Sequence, residues 1–546
     1  MNKRFILSVV LFLGSVVCIF AENENNKMVV DTVVVESIKL VSLPGLAEIA
    51  YDIEYIVPRP IQRKSFAVNY GFWSLEPTAI RENECLVTLK KRPFIAAGQV
   101  FALNVGIWAF DRYALNEDYA RINLRTMRSN LRSGFVWDND NMIINNFGHP
   151  YSGNLYFNIA RSNGLTFWES TPYAIGGSLM WELFMENDPP AINDFIATSL
   201  GGICLGEITW RVSDLLVDQS TSGIERVARE AAIMVVSPMR GINRLVYGDT
   251  WKRTSCSART ISRPDFVFST ALNFRYLSDY PNWNEGSKGA ELELSLLYGN
   301  PMDDFEGKPF SFFTVDARLN FLSNQPILGG VSAKALLWGT HWRPNPPGGF
   351  LFGVFQHFNY QDSNPVQDSD GDVDIKPYEI SESASLGVGM ICSVPIVSDR
   401  LFFFSDVYLN GVLLGGSHTD HYNVLSRDYN LGSGYSVKII PGISWRDVGL
   451  LRLKADRIQL YTWKGYDKNL NLSEVTDMES YKLDAQGDRG NTALTTLTAQ
   501  LTLQLYENLE LNLSQAYYLR YSHYADFPDV KHEVVESKVG LLYRFK

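Results

Sequence analysis

The chain has 546 residues, of which 46% are hydrophobic, 13% aromatic and 20% charged. Its net charge of −11 leaves no basic footprint and excludes a nucleic-acid partner. The length admits two or three domains, or one barrel with an attached region.

Lys3 and Arg4 precede the uncharged apolar run Phe5 to Phe20, and Ala21 stands before the polar Glu22-Asn23-Glu24-Asn25. That order is a secretory signal peptide, residues 1–21, too short to favour membrane spanning, with cleavage expected after Ala21. Cys18 follows Ser15-Val16-Val17; a β-branched residue before the cysteine fits a lipobox poorly, so no lipid anchor is expected. Cys85, Cys204, Cys256 and Cys392 show neither CxxC nor Cys/His metal spacing. Buried or unpaired thiols are the favoured reading, and a Cys85–Cys256 bridge stays open. The mature chain has no run of about 18 uninterrupted apolar residues, so no transmembrane helix is expected. Residues 22–96 read as an N-terminal periplasmic or strand-donating segment.

Residues 97–255 form a middle region of different texture. Val100–Phe110 has enough apolar residues for an extra strand. After it come Gly134-Phe-Val-Trp-Asp-Asn-Asp140, Asn146-Phe-Gly-His149-Pro-Tyr-Ser-Gly-Asn-Leu-Tyr156 and Ala160-Arg-Ser-Asn-Gly164. Then follow Gly177-Ser-Leu-Met-Trp-Glu182, Asn193-Asp-Phe-Ile-Ala-Thr-Ser-Leu-Gly-Gly202-Ile-Cys-Leu-Gly-Glu207 and Ser237-Pro-Met-Arg-Gly-Ile-Asn-Arg244. This succession resembles the family called domain of unknown function 3943, found in outer-membrane proteins of Gram-negative bacteria. The resemblance implies an envelope protein and supplies no known reaction.

Read on its own terms, the middle is helical. Tyr173–Asn187 is expected to form a helix after Pro172, with Ser178, Glu182 and Glu186 four apart on one face. A second helix is expected from Asp194, capped by Asn193. Its Thr198, Gly202 and Gly206 make a groove that lets another backbone approach, and Glu207, Arg211 and Asp214 follow on a neighbouring line. A third, Gly223–Val236, sets Arg226 and Glu230 at i,i+4 before Pro238. Such helices are expected to plug a lumen or to sit at its periplasmic mouth.

Residues 256–546 read as an outer-membrane β-barrel. Phe266, Phe268, Thr270, Leu272, Phe274 and Tyr276 alternate with Asp265, Val267, Ser269, Ala271, Asn273 and Arg275. Leu497, Ala499, Leu501, Leu503 and Leu505 alternate likewise with Thr and Gln. Repeated alternation over about ten residues suits a strand between lipid and a polar lumen. Only a closed sheet pairs every backbone group inside a bilayer. The final run Val539, Leu541, Tyr543, Phe545 resembles the aromatic-ended last strand that barrel-assembly machinery reads, except that Lys546 follows. The fold class is therefore mostly β, an antiparallel transmembrane barrel of about twelve strands with an α-helical middle region packed in or against it. Val331–Trp342 and Arg452–Trp463 slip in phase, which suggests bulges.

Four groups of side chains are candidates for chemistry. His149 near Ser152, with Glu182 or Asp194 orienting it, would suit acyl transfer from a lipid. The competing, favoured reading is a satisfied polar network of Asp138, Asp140, Arg161, Glu182, Glu186, Asp194, Glu207, Arg211 and Arg244. Asp138-Asn-Asp140 reads as a turn. Asp368, Asp370, Asp372 and Asp374 alternate as calcium ligands do, but Pro377 falls where an EF-hand needs its final carboxylate, so a solvated loop is preferred. No cofactor is expected, and the partners are outer-membrane lipids and the assembly machinery. The functional expectation is a non-enzymatic plugged or gated pore or a structural envelope component in the outer membrane, with a lipid-modifying enzyme as the rival.

Overall fold

The computed structural model describes residues 55–56, 68–70, 73–75 and 86–545, without 138–139, 262–263, 281–285, 304–306, 345–347, 368–373, 398–399, 422–428, 467 and 470–486. The expected signal peptide, Cys85, Asp138, Asp368, Asp370 and Asp372 lie outside the described residues. Cys256 is disulfide-bonded, against the expectation of free thiols, whereas Cys204 and Cys392 are free and buried.

The sheet closes with twelve strands, all after residue 265. They are β1 Phe266–Asp279, β2 Gly286–Tyr298, β3 Phe313–Phe321, β4 Leu328–Trp342, β5 Gly349–Asp362 and β6 Glu379–Val397. The second half is β7 Leu401–His418, β8 Tyr429–Trp445, β9 Gly449–Thr462, β10 Gly490–Tyr506, β11 Leu509–Tyr524 and β12 Val530–Phe545. Each pairs antiparallel with its neighbour in sequence, and β12 closes on β1 through Phe545 opposite Phe268. Of the two segments with slipping phase, β4 does carry a bulge between Leu336 and Trp338. The other, β9, pairs with β8 in an unbroken register.

Register and reach separate the two faces. Lys538 of β12 bonds Glu291 of β2 at 2.6 Å, and Lys438 of β8 bonds Glu382 of β6 at 2.5 Å. Lys334 of β4 reaches Asp406 of β7 at 3.5 Å. Side chains touch across two or three strands only on a concave face, so this is the lumen. It is filled by its own polar side chains, with apolar layers around Phe355 and Tyr408 nearer one end and Ile458 and Leu494 nearer the other. The opposite face carries Leu272 and Phe274, which are 61% and 58% exposed. Exposed aromatics mark both rims: Trp342, Trp445, Tyr506 and Tyr543 at the end with the strand termini, Tyr280, Tyr461, Trp463 and Tyr521 at the loop end. Two aromatic girdles around an apolar band are the surface of a barrel in a bilayer.

The helices precede the barrel. They are α1 Pro93–Phe110, continued by a π-turn to Leu115, α2 Leu124–Ser133, α3 His149–Ser162 and α4 Phe167–Phe184. Next come the short α5 Ile192–Ile196, α6 Gly202–Leu216, α7 Gly223–Val236 and α8 Pro238–Val246. Val100–Phe110 is thus helix, not strand. It belongs to a 23-residue helix, Pro93–Leu115, long and apolar enough to cross a membrane by length and composition. The uninterrupted-run criterion passes over it, although its length and composition would suffice. Gln99 and Asn104 interrupt the apolar run, but they are uncharged and inside a helix leave no backbone group unpaired.

The fourth helix starts earlier than expected, at Phe167. Thr166 and Glu169 form a reciprocal capping box there. Pro172 lies inside it. The carbonyl of Trp168, deprived of its usual donor, accepts instead from Thr171 Oγ1 at 2.9 Å. Ala191, not Asn193, caps α5.

The helices pack against the barrel, as the fold class expects, but in neither of the two narrower placements, plug or periplasmic mouth. Among the described residues they occupy the outer wall of the barrel, not its lumen. Tyr298 (β2), Phe313 (β3), Ala333 and Ala335 (β4) and Phe358 and Tyr360 (β5) share the outward face in register. All are buried in one apolar cluster with Phe147, Phe157, Phe167, Ile203, Ile208 and Val212. The physical reason is on both surfaces: the lumen is already full, and the outward wall offers apolar area to helices that are themselves apolar.

Candidate functional site

The helices hold together through a glycine crossing. Gly153 of α3 faces Gly202 of α6 so closely that a Cβ on Gly153 would fall 1.7 Å from the Thr198 carbonyl oxygen. Beside it runs a buried polar ladder. Asn158 Nδ2 donates to Asn154 Oδ1 at 2.5 Å and to Thr209 Oγ1 at 2.9 Å, and Ser237 Oγ donates to Asn158 Oδ1 at 3.0 Å. The close approach expected of Thr198, Gly202 and Gly206 is therefore present, with α3 as the partner.

At the loop end of this crossing lies the only histidine of the bundle among the described residues. His149 Nε2 sits 3.3 Å from Asp194 Oδ1, and its Nδ1 3.4 Å from Thr198 Oγ1. Asn193 Nδ2 donates to the same Asp194 oxygen at 2.7 Å. Asp194 in α5 and Thr198 in the π-turn that joins α5 to α6 are four apart, which aims both at the first residue of α3. The three groups form a line of hydroxyl, imidazole and carboxylate. Chemically, that line can polarise a hydroxyl or simply fix the ring.

Ser152 is not part of it. Its hydroxyl donates back to the Gly148 carbonyl at 3.3 Å, an ordinary helical bond. Glu182 is fully buried and accepts the Ala191 backbone N–H at 2.7 Å, so it holds the start of α5 and does not reach the histidine. Glu186 offers its carbonyl to Asn130 Nδ2 at 3.0 Å, and the Asp140 carbonyl accepts from Tyr429 Oη at 2.7 Å. Asp374 lies in a two-residue strand paired with Val366–Gln367.

At the opposite end of the bundle the charges pair off. Arg161 and Arg211 share Glu207, at 2.8 and 2.7 Å, and Arg211 also donates to the Pro309 carbonyl at 2.7 Å. Asp214 binds Arg240 and accepts from Thr260 Oγ1 at 2.7 Å. Arg226 and Arg244 both reach Glu230, at 3.0 and 2.6 Å. Among the described residues no group of three or more His, Cys, Asp or Glu side chains is placed to hold a metal.

Sequence reasoning missed Asn146 and Arg240, and read Thr198 only as part of the groove, not as a neighbour of His149. Thr198 was legible as the i+4 neighbour of Asp194. Asn146 is buried and accepts from Ser381 Oγ and Ser383 Oγ, each at 2.7 Å, tying the helices to the wall at β6.

Residues 134–239 match a family model described as Domain of unknown function (DUF3943). The matched stretch holds every residue of the His149 line and the glycine crossing. No curated protein matches the chain. Among solved structures with some likeness is the NanC porin, at 8% identity and a TM-score of 0.23, covering 50% of this chain and 99% of that one. The transport unit of the autotransporter AIDA-I from Escherichia coli has 11% identity, a TM-score of 0.23 and coverage of 52% and 91%. The Pseudomonas putida toluene transporter TodX has 8% identity, a TM-score of 0.22 and coverage of 52% and 90%.

Proposed function

We propose that this chain is an outer-membrane protein whose barrel is a closed anchor, and whose working part is the helical bundle held against the barrel wall at membrane depth. One observation carries the reading. The bundle extends over the height of the strands, from Arg211 against Tyr298 at the terminal rim to Trp137 edge-on to Trp463 at the loop rim, with ring centroids 4.3 Å apart. Helix α1 supports it. Its free side is apolar, with Phe94, Phe101 and Phe110 exposed, and 23 residues span about 34 Å, which matches the bilayer core. Water would penalise such a face, and acyl chains would not.

A pore gated by these helices would need them in the lumen; their packing on the outer wall supports the anchor instead. The test is depth. A fluorophore on Phe101→Cys, in protein reconstituted into phospholipid vesicles, should be quenched by lipids brominated on their acyl chains and shielded from iodide. Quenching by iodide with none from brominated lipid would overturn the reading.

The hydroxyl, imidazole and carboxylate line of Thr198, His149 and Asp194 favours a second reading, a lipid-modifying enzyme acting at the loop-side leaflet. Loss of lipid turnover in His149→Ala, with turnover kept in Glu182→Gln, would support it. Absence of turnover in the wild type on phospholipid and lipopolysaccharide substrates would end it.

A further inference from the structure

We infer that α2 is a docking surface for anionic, phosphate-bearing lipid headgroups of the loop-side leaflet, an inference that rests on the membrane-embedded placement of the bundle. Arg125, Arg128 and Arg132 stand at i, i+3 and i+7 and so share one face of this ten-residue helix. All three are exposed, and none of their guanidinium groups has an ion pair among the described residues. Arg121, by contrast, is already held by Asp118 at 3.1 Å. In a chain with a net charge of −11, three unpaired arginines on ten residues form a local reversal of sign.

The adjoining stripe of the same helix is apolar and equally bare, with Leu124 86% and Leu131 58% exposed. A basic stripe beside an apolar one is the profile of a helix lying in a membrane interface. Its height in the molecule agrees. Asn130 ties α2 to the Glu186 carbonyl at the end of α4, and the Asn187 N–H donates to the Tyr119 carbonyl at 2.8 Å. Just beyond, Trp137 meets the loop-rim girdle at Trp463. The exposed end of the membrane-length helix, Phe110, Tyr113 and Leu115, leads directly to it.

The paired stripes select the occupant. Guanidinium groups match phosphate oxygens in bidentate geometry, which a free phosphate ion would satisfy as well. Only a lipid also uses Leu124 and Leu131, by placing its acyl chains beside them.

The test compares wild type with Arg125→Gln/Arg128→Gln/Arg132→Gln and with the corresponding triple Lys variant. Each is purified in mixed micelles containing phosphatidylglycerol or phosphatidylcholine, and retained lipid is counted by native mass spectrometry. Wild type should hold phosphatidylglycerol about tenfold more strongly than the Gln variant, with the Lys variant, which keeps the charge but loses the bidentate fork, between them. None should prefer phosphatidylcholine, and excess inorganic phosphate should not strip the lipid. Equal retention by wild type and a folded Gln variant overturns the inference, and so does displacement by inorganic phosphate. The Phe101→Cys depth label separates the two readings. Acyl-chain quenching without lipid preference sinks the headgroup site alone, whereas iodide quenching sinks the embedded bundle beneath it.

Discussion

Replacing Gly153 by Ala adds one methyl group at the tightest point of the bundle. That carbon would lie 1.7 Å from Thr198 O and 2.9 Å from Gly202 Cα, both backbone atoms. Carbon contacts are comfortable only at about 3.5 Å, so α6 must retreat by more than about 1.5 Å. No rotamer change can absorb this. Overpacked cores lose about 1–3 kcal/mol, and with backbone on both sides the upper end, about 3 kcal/mol, is expected. Gly176 in α4 is the internal control, because a Cβ there meets nothing within 4 Å. Gly176→Ala should gain about 0.5–1 kcal/mol from the lower chain entropy of Ala in a helix. Thermal loss of helical circular dichroism in one detergent reads both variants. The two should shift in opposite directions. A Gly153→Ala protein that melts with the wild type would refute the crossing geometry, and equal shifts would refute the assignment of inner and outer helix faces.

Two further changes probe the barrel. Glu536 accepts from Arg275 Nε at 2.5 Å and from Tyr518 Oη at 3.0 Å inside the lumen, so Glu536→Gln removes the nearest counter-charge of a buried guanidinium and leaves it only Glu291, 3.8 Å away and shared with Lys538. A loss of about 3–5 kcal/mol is expected, seen as a lower temperature for the heat-induced shift in gel migration; an unchanged temperature would contradict the network. Asp420, in the loop after β7, is pushed up by burial but held down to about 2 by the Arg520 guanidinium. A depressed carboxyl stabilises the fold above its unfolded value, near 4, and that contribution is lost as pH falls to about 2. Wild type should therefore lose about 2 kcal/mol more than Asp420→Asn across that window, and parallel acid curves would count against the clamp.

The barrel was legible because period-two alternation and rim aromatics are properties of single strands, readable one segment at a time. Strand number followed by counting. The placement of the helices was not legible, because alternation reports only that one face of a strand is apolar. It does not say whether lipid or a helix covers that face: Leu272 meets open surroundings while Leu319, apolar and outward like it, is buried under the bundle. The membrane-length helix escaped for a related reason. Gln99 and Asn104 break an apolar count, yet Asn104 Nδ2 donates to the Gly177 carbonyl at 3.0 Å and costs the helix little. Within the site, the pairing of His149 with Asp194 could be guessed from residue type. Its isolation from Ser152 could not, because that depends on which turn of α3 faces α5.

A signal for the buried wall did exist, in outward positions that lipid would not tolerate. Gln356 lies opposite Ala335 and Leu386 on the outward face, and Ser381 lies opposite Tyr360. In acyl chains their polar atoms would go unpaired, which costs several kcal/mol each. Here Gln356 Nε2 donates to the Leu200 carbonyl at 2.9 Å, and Ser381 and Ser383 donate to Asn146. The contact can be dissected by a cycle. Asn146→Leu strands two buried hydroxyls and should cost about 2–4 kcal/mol, taking about 1–2 for each. Adding Ser383→Ala and Ser381→Ala removes the stranded hydroxyls and should recover part of that loss, Ser383→Ala more than Ser381→Ala, because Ser381 Oγ also accepts the Gly416 N–H at 2.7 Å and its removal leaves that donor unpaired. Melting temperatures of the single, double and triple variants give the coupling. If the serine changes instead add to the cost of Asn146→Leu, the three residues do not meet, and the helices do not dock on this wall.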